Sequence, residues 1–315
     1  MAKKTVLTAQ EKAARSVSRK NHLQRYWVLY AMMVLPVIYY IIFKYLPMAG
    51  SILAFRRYRP GMGPFGTEWT LRYWERFLKD PAFWSALRNT IVTSTMNLII
   101  NFPIPVIFAI LLNEVRAPKF KKVVQTISYM PRFISTVVVI TILNELLSPS
   151  SGIVNRLIVA CGGEPIYFMN QAAWFRPIYI LSETWQFTGW TAIIYLAAIT
   201  SISPDLFEAA EMDGASRLQQ IWYVTIPSIL PTVMVMLIMN VGHLLSLGFE
   251  KVLLMYSPAN SSVSDILDTL VYRVGLANQN YSYATAIGLF SGLVGLILVT
   301  SSNALSKKLT GESIY

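Results

Sequence analysis

The chain has 315 residues, of which 54% are apolar and only 14% charged, and its mean hydropathy is +0.47. A water-soluble domain needs more charge than this to cover its surface, so the composition points to a lipid-embedded chain and away from a soluble enzyme. The formal charge of +11 sits between apolar runs and near the termini, which suits headgroup anchoring better than a nucleic-acid face.

Residues 1–26 form a basic, polar tail with no small-residue cleavage site after it, so it reads as a retained tail and not a signal peptide. Six segments then have the length and apolarity to cross a hydrocarbon core of ~30 Å. They are 27–55, 89–112, 123–147, 175–199, 228–249 and 284–305. Backbone polar groups in lipid must be satisfied within the segment, so these are helices, and the expected fold is an all-α membrane protein of six transmembrane helices. Pro36, Lys44 and Pro47 interrupt the first span, and Pro103, Pro105 and Pro131 are expected to kink the second and third. Loop 56–88, with its Pro60-Gly61 turn, separates the first span from a five-helix core over 89–305, and 306–315 is a short tail. An even number of spans puts both termini on one side. That side carries a slight excess of Lys and Arg, which predicts cytoplasmic termini.

The one long inward connection starts Ser203-Pro204-Asp205-Leu206-Phe207-Glu208-Ala209-Ala210-Glu211-Met212-Asp213-Gly214. Ser203 suits an N-cap, Pro204 the first helical position and Asp205 the positive dipole end, so a short helix is expected over 203–214. Gly214 suits a left-handed stop. Ala209 and Ala210 keep one face slim. A second short helix, 215–225, is expected before Pro227 opens the fifth span. Capped acidic helices also occur as plain solvated loops.

The spacing adds more. Glu208-Ala209-Ala210, Gly214 and then Val224-Thr225-Ile226-Pro227 resemble the EAA motif of binding-protein-dependent ABC importer permeases: Glu-Ala-Ala, three residues, Gly, nine residues, Ile-x-Leu-Pro. Val for Ile and Ile for Leu are the only departures. Asp213 and Ala215, and the stretches 129–135, 152–155 and 185–190, are similar to the oligosaccharide and polysaccharide branch of that family. The resemblance implies the type I ABC importer permease fold, with a MetI-like transmembrane domain, in a bacterial cytoplasmic membrane. It further implies that 203–214 is a coupling helix seated on a cytoplasmic ATPase dimer, which binds the ATP and Mg. Glu208, Ala209, Ala210, Asp213, Gly214 and Pro227 would form that contact, Glu208 meeting a basic residue. A second homologous permease and an external solute-binding protein would complete the machine. The implied cargo is a carbohydrate, either neutral or uronate-containing, the latter being compatible with the cations below. A non-sugar solute is the alternative.

No Gly precedes Lys, so the chain has no Walker A loop and is not itself the ATPase. Gly61 to Gly66 matches a dinucleotide fingerprint in spacing, but Pro64 and the loop setting make it a turn. Two histidines and a single cysteine, Cys161, give no support to a catalytic triad, a paired-cysteine metal site or an internal disulfide. No catalytic residue, metal site or cofactor of its own is expected.

Four residues are candidates for the cargo path. Asn240 and His243 are three apart and share a helix face deep in the fifth span, where packing is the competing role. Arg132 lies in the third span, where an unpaired charge costs at least ~2.5 kcal/mol. Trp190 suits sugar stacking or an interfacial belt. Arg56, Arg57 and Arg59 suit a mouth for acidic cargo or headgroup anchors. Gly288 and Gly292 suit close helix packing. A stand-alone secondary transporter would want intramembrane carboxylates, whereas Glu145, Glu183 and Glu250 are expected at span ends. An intramembrane enzyme would want a paired nucleophile and base.

Overall fold

A computed structural model describes residues 9–59, 61–63 and 67–310. Pro60, the 64–66 part of the glycine-rich turn and residues 311–315 of the tail lie outside the described residues, as do residues 1–8. Four helices are long and apolar enough to cross a membrane: Gln24–Phe55, Pro81–Glu114, Arg217–Gly242 and Tyr281–Lys308. The number rises to six when two bent pairs are each taken as one crossing: Pro118–Phe133 with Thr136–Leu146, and Ala172–Thr200 with Pro204–Met212. Among the described residues the only bridge outside helices joins Arg56 and Trp69.

The third crossing differs from the single helix expected over 123–147. Its two halves meet at 101°. Pro131 has no N–H to give to the helix, Ile134 is extended (ψ 130°), and Ser135 opens a new helix by accepting a hydrogen bond from the Val138 N–H at 3.4 Å. The break frees the Ile134 carbonyl, which accepts from Nε2 of buried Gln186 at 3.1 Å. Gln186 is the fifteenth residue of Ala172–Thr200, so the break lies level with the middle of that helix. One turn further, Gly189 lets the two backbones touch: a Cβ there would stand 2.2 Å from the Ser128 carbonyl oxygen.

The fifth crossing also differs. Arg217–Gly242 is one helix, so Pro227 lies inside it, and no separate second short helix precedes it. A π turn over Ile221–Thr225, in which the Ile226 N–H bonds the Ile221 carbonyl, widens the helix just ahead of the proline. The first span has the same device: a π turn over Ile41–Tyr45 precedes Pro47 with the same six-residue offset. A widened turn shifts the carbonyl that the pyrrolidine ring would strike. Beyond Gly242 the chain turns back, and a short helix, Phe249–Met255, packs beside the fourth crossing.

Three apolar clusters hold the bundle. One joins Phe77, Phe83, Ala54, Tyr283 and Ile287 near Asp80. A second joins Ile140, Phe175, Tyr179, Val252 and Met255. The third, toward Glu208, joins Ala109, Ala192, Tyr195, Ile199 and Ile229. The first span enters them only through its last residues; its earlier apolar side chains, such as Leu35 at 76%, remain exposed.

One buried amide orders the connection after the third crossing. Asn155 donates to the carbonyls of Leu147, Ser148 and Ile166 at 2.9–3.1 Å and accepts from the Ile166 N–H at 2.7 Å. Asn155→Ala should cost roughly 2–4 kcal/mol, because those backbone groups lose their partner away from water. Thermal unfolding of the purified protein checks this, and an unchanged Tm would refute it.

Candidate functional site

The helix Pro204–Met212 has no buried residue. Met212 is 88% exposed and Leu206 51%, while Glu208, Ala209, Asp213 and Gly214 all face outward. Ser203 stands at the N-cap position, but its hydroxyl donates to Asp205 Oδ2 at 3.1 Å, so the backbone cap expected of it does not form. The far end closes as a Schellman motif. The Ala215 N–H bonds the Ala210 carbonyl at 2.8 Å and the Gly214 N–H bonds that of Glu211 at 3.0 Å, with Gly214 at φ +78°. Gln219 then accepts the Ser216 N–H at 2.7 Å, and the next long helix begins. The element is therefore fastened at both ends, by Ala172–Thr200 on one side and Arg217–Gly242 on the other.

Clefts flank it. One of about 240 Å³ lies between the 113–116 turn and Phe207, Glu211 and Arg217. Another of about 380 Å³ runs along Asn113, Thr200, Pro204 and Glu208. The helix thus buries no residue, shows apolar side chains and is undercut by clefts on its flanks.

Between the spans lies a polar cleft. Two adjoining hollows, of about 230 and 150 Å³, share Asn97, Leu98, Glu183 and Asn240. The fourth crossing contributes Glu183, Phe187, Thr191 and Tyr195, a stripe at four-residue spacing; the second contributes Ser94, Asn97 and Asn101; the fifth contributes Met236, Asn240 and His243. Asn240 donates to the Met236 carbonyl at 2.7 Å, and His243 Nδ1 lies 2.8 Å from that of Met239, so both side chains fold against their own helix while lining the hollow. Thr184 bonds Asn101 across the wall.

Two of the four path candidates thus line the cleft and two do not. Arg132 is exposed and lies over the Phe187 ring, 5.0 Å from its centroid. Trp190 meets Phe133 edge-on at 5.8 Å, on the flank toward the third crossing. Arg56 is occupied by the Thr67 carbonyl and the Trp69 ring.

Glu183 corrects the sequence reading most. It is the twelfth residue of a 29-residue helix, not a span-end group, and it pairs with Lys251 at 2.7 Å. Asn97 and Asn101, one turn apart in an apolar run, carried a signal for the same cleft that residue-by-residue reading passed over.

A separate, more open cleft of about 760 Å³ lies on the flank, lined by Ser51, Asp268, Gly275, Ala284, Gly288 and Gly292. Gly288 and Gly292 face that space and approach no neighbour, so the close packing expected of them does not occur within this chain. Burial pushes the Asp268 carboxyl up to about 6. Nearby, a hydrogen bond to Asp265 holds Arg273 above its ordinary value.

Comparison with known proteins places this geometry. Residues 82–311 match the family of binding-protein-dependent transport system inner membrane components. The polygalacturonan/rhamnogalacturonan transport system permease protein YteP of Bacillus subtilis (strain 168) is 48% identical over 91% of this chain and 90% of its own length. Protein LplB of the same organism is 40% identical over 96% of both. A solved bacterial ABC transporter involved in the import of the acidic polysaccharide alginate has a chain of 39% identity and TM-score 0.86, covering 93% of this chain and 99% of that one. A bacterial alginate ABC transporter solved in complex with an alginate pentasaccharide-bound periplasmic protein gives a TM-score of 0.85 at 38% identity, with the same coverage. With an exposed surface helix, a polar cleft between the spans it joins, and a family match across most of its length, this chain belongs to the binding-protein-dependent transport system inner membrane components.

Proposed function

We propose that this chain is the permease subunit of an ATP-driven importer that takes up an acidic oligosaccharide delivered by an external solute-binding protein. The observation that carries this reading is mechanical. Pro204–Met212 hangs between the two long helices that line the polar cleft, so force applied at Glu208 reaches the cleft walls through rigid elements. In this reading both termini and that helix lie in the cytoplasm, a partner ATPase dimer binds ATP and Mg, and a second, homologous permease faces this one across the path. Glu208 meets a basic residue in the ATPase groove, while Ala209 and Ala210 allow close approach. Closure of the ATPase dimer pulls the helix inward and turns the permease pair toward the outside. Asn240 and His243 contact cargo. The acidic cargo is supported by YteP and by the alginate transporter, both named for polymers of acidic sugars.

Reconstitution tests the reading. The permease pair with its ATPase, in proteoliposomes, should accumulate an oligogalacturonide only when ATP and the binding protein are both supplied. Accumulation by this chain alone without ATP, or uptake restricted to neutral sugars, would overturn it.

A further inference from the structure

Glu183 is the only carboxylate among the residues lining the two polar hollows. Its partner is on the other side of the wall. The Lys251 side chain is 4% exposed against 20% for Glu183, and its ammonium lies 5.5 Å from the centroid of the Tyr179 ring. The pair is therefore oriented, with the acid toward the cleft and the base behind it. The base is also rigidly placed, because its neighbours Val252 and Met255 are packed in the same apolar cluster as Phe175 and Tyr179.

Stability alone does not call for such a pair, since desolvating two charges offsets most of their attraction and well-packed apolar residues serve as well. An unscreened carboxylate in the cleft would, however, oppose an acidic sugar. At an effective dielectric of about 20, two carboxylates about 6 Å apart repel by an amount worth roughly a hundredfold in affinity. We propose that Lys251 is a specificity-determining residue that acts through Glu183: it cancels the charge of the cleft's carboxylate, leaving oxygens that accept hydrogen bonds from sugar hydroxyls without repelling a negatively charged cargo. This rests on the acidic-cargo reading above.

The test uses the complete transporter, permease pair plus ATPase, without binding protein, so that only the membrane site selects. Equilibrium dialysis measures binding of a trigalacturonide as the free acid and as its neutral methyl ester. Lys251→Met should weaken the acid tenfold or more and the ester less than twofold. The Glu183→Gln/Lys251→Met pair, which leaves no unpaired charge, should bind the acid within about threefold of the unmodified transporter. It keeps the proposal testable where Lys251→Met fails to fold. Equal losses for acid and ester in Lys251→Met would make the pair purely structural and overturn the proposal. So would a tenfold loss of acid binding in the double variant. An unmodified transporter that binds the ester and not the acid would instead overturn the acidic-cargo reading itself.

Discussion

Glu208→Lys should abolish binding-protein-stimulated ATP hydrolysis, by tenfold or more, while the protein inserts and unfolds as before. The reason lies in what Glu208 touches. It is exposed on a helix with no buried residue, so reversing its charge removes nothing that holds the bundle together. Exposed substitutions of this kind usually change stability by less than about 0.5 kcal/mol. In a protein groove that offers a cation, the same reversal turns attraction into repulsion at close quarters. Gly214→Pro should give the same loss by another route. Proline locks φ near −65°, where the chain needs +78°, and deletes the N–H that bonds the Glu211 carbonyl, so the Schellman stop unravels and the lever lengthens or frays. Stimulated ATPase activity of the purified complex, read beside its Tm, separates the cases. Full stimulation in both variants would dismiss Pro204–Met212 as the point where force enters.

Gly189→Ala should destabilise the protein by about 3 kcal/mol, since among the described glycines it has the closest backbone contact to an added methyl. The added carbon would lie 2.2 Å from the Ser128 oxygen, 2.3 Å from its carbonyl carbon and 2.7 Å from the Tyr129 nitrogen. All three are backbone atoms, so no rotamer change relieves the contact, and Pro118–Phe133 must move off the fourth crossing. That movement also lengthens the Gln186 bond to Ile134, leaving a carbonyl exposed in lipid. Gly288→Ala is the internal control, because nothing lies within 4 Å of its added carbon. Thermal unfolding should separate the two by several degrees; coincident curves would show that the helix contact at Ser128 is slack.

Much of this architecture is legible in the residue order because lipid demands long apolar helices. The runs from 89, 228 and 284 needed no tertiary information to be recognised. The short helix Pro204–Met212 was legible for a different reason: Pro204 and Gly214 act locally, and a left-handed stop is written in one residue. The 101° break was not. Pro131 announces a kink, but its angle is set by Gln186 and Gly189, more than fifty residues away. The ion pair was hidden in the same way. Lys251 reads as one more loop cation, and only the return of Phe249–Met255 against the fourth crossing brings it to Glu183. Trp190 and Arg132 show how little residue type says of placement: Trp190 meets Phe133, and Arg132 lies over the Phe187 ring.

The broken crossing also bears on how the chain is made. Pro118–Phe133 extends only about 24 Å and Thr136–Leu146 about 17 Å, so neither half alone spans a hydrocarbon core. The groups that stabilise their junction belong to a helix the ribosome has not yet delivered when the break emerges. Without Gln186, the Ile134 carbonyl would lack the partner it has in the folded chain, and an unpaired carbonyl in hydrocarbon is costly. The third and fourth segments are therefore complementary halves of one unit: Gln186 supplies the hydrogen bond that the break leaves open, and Gly189 the space that lets the two backbones meet.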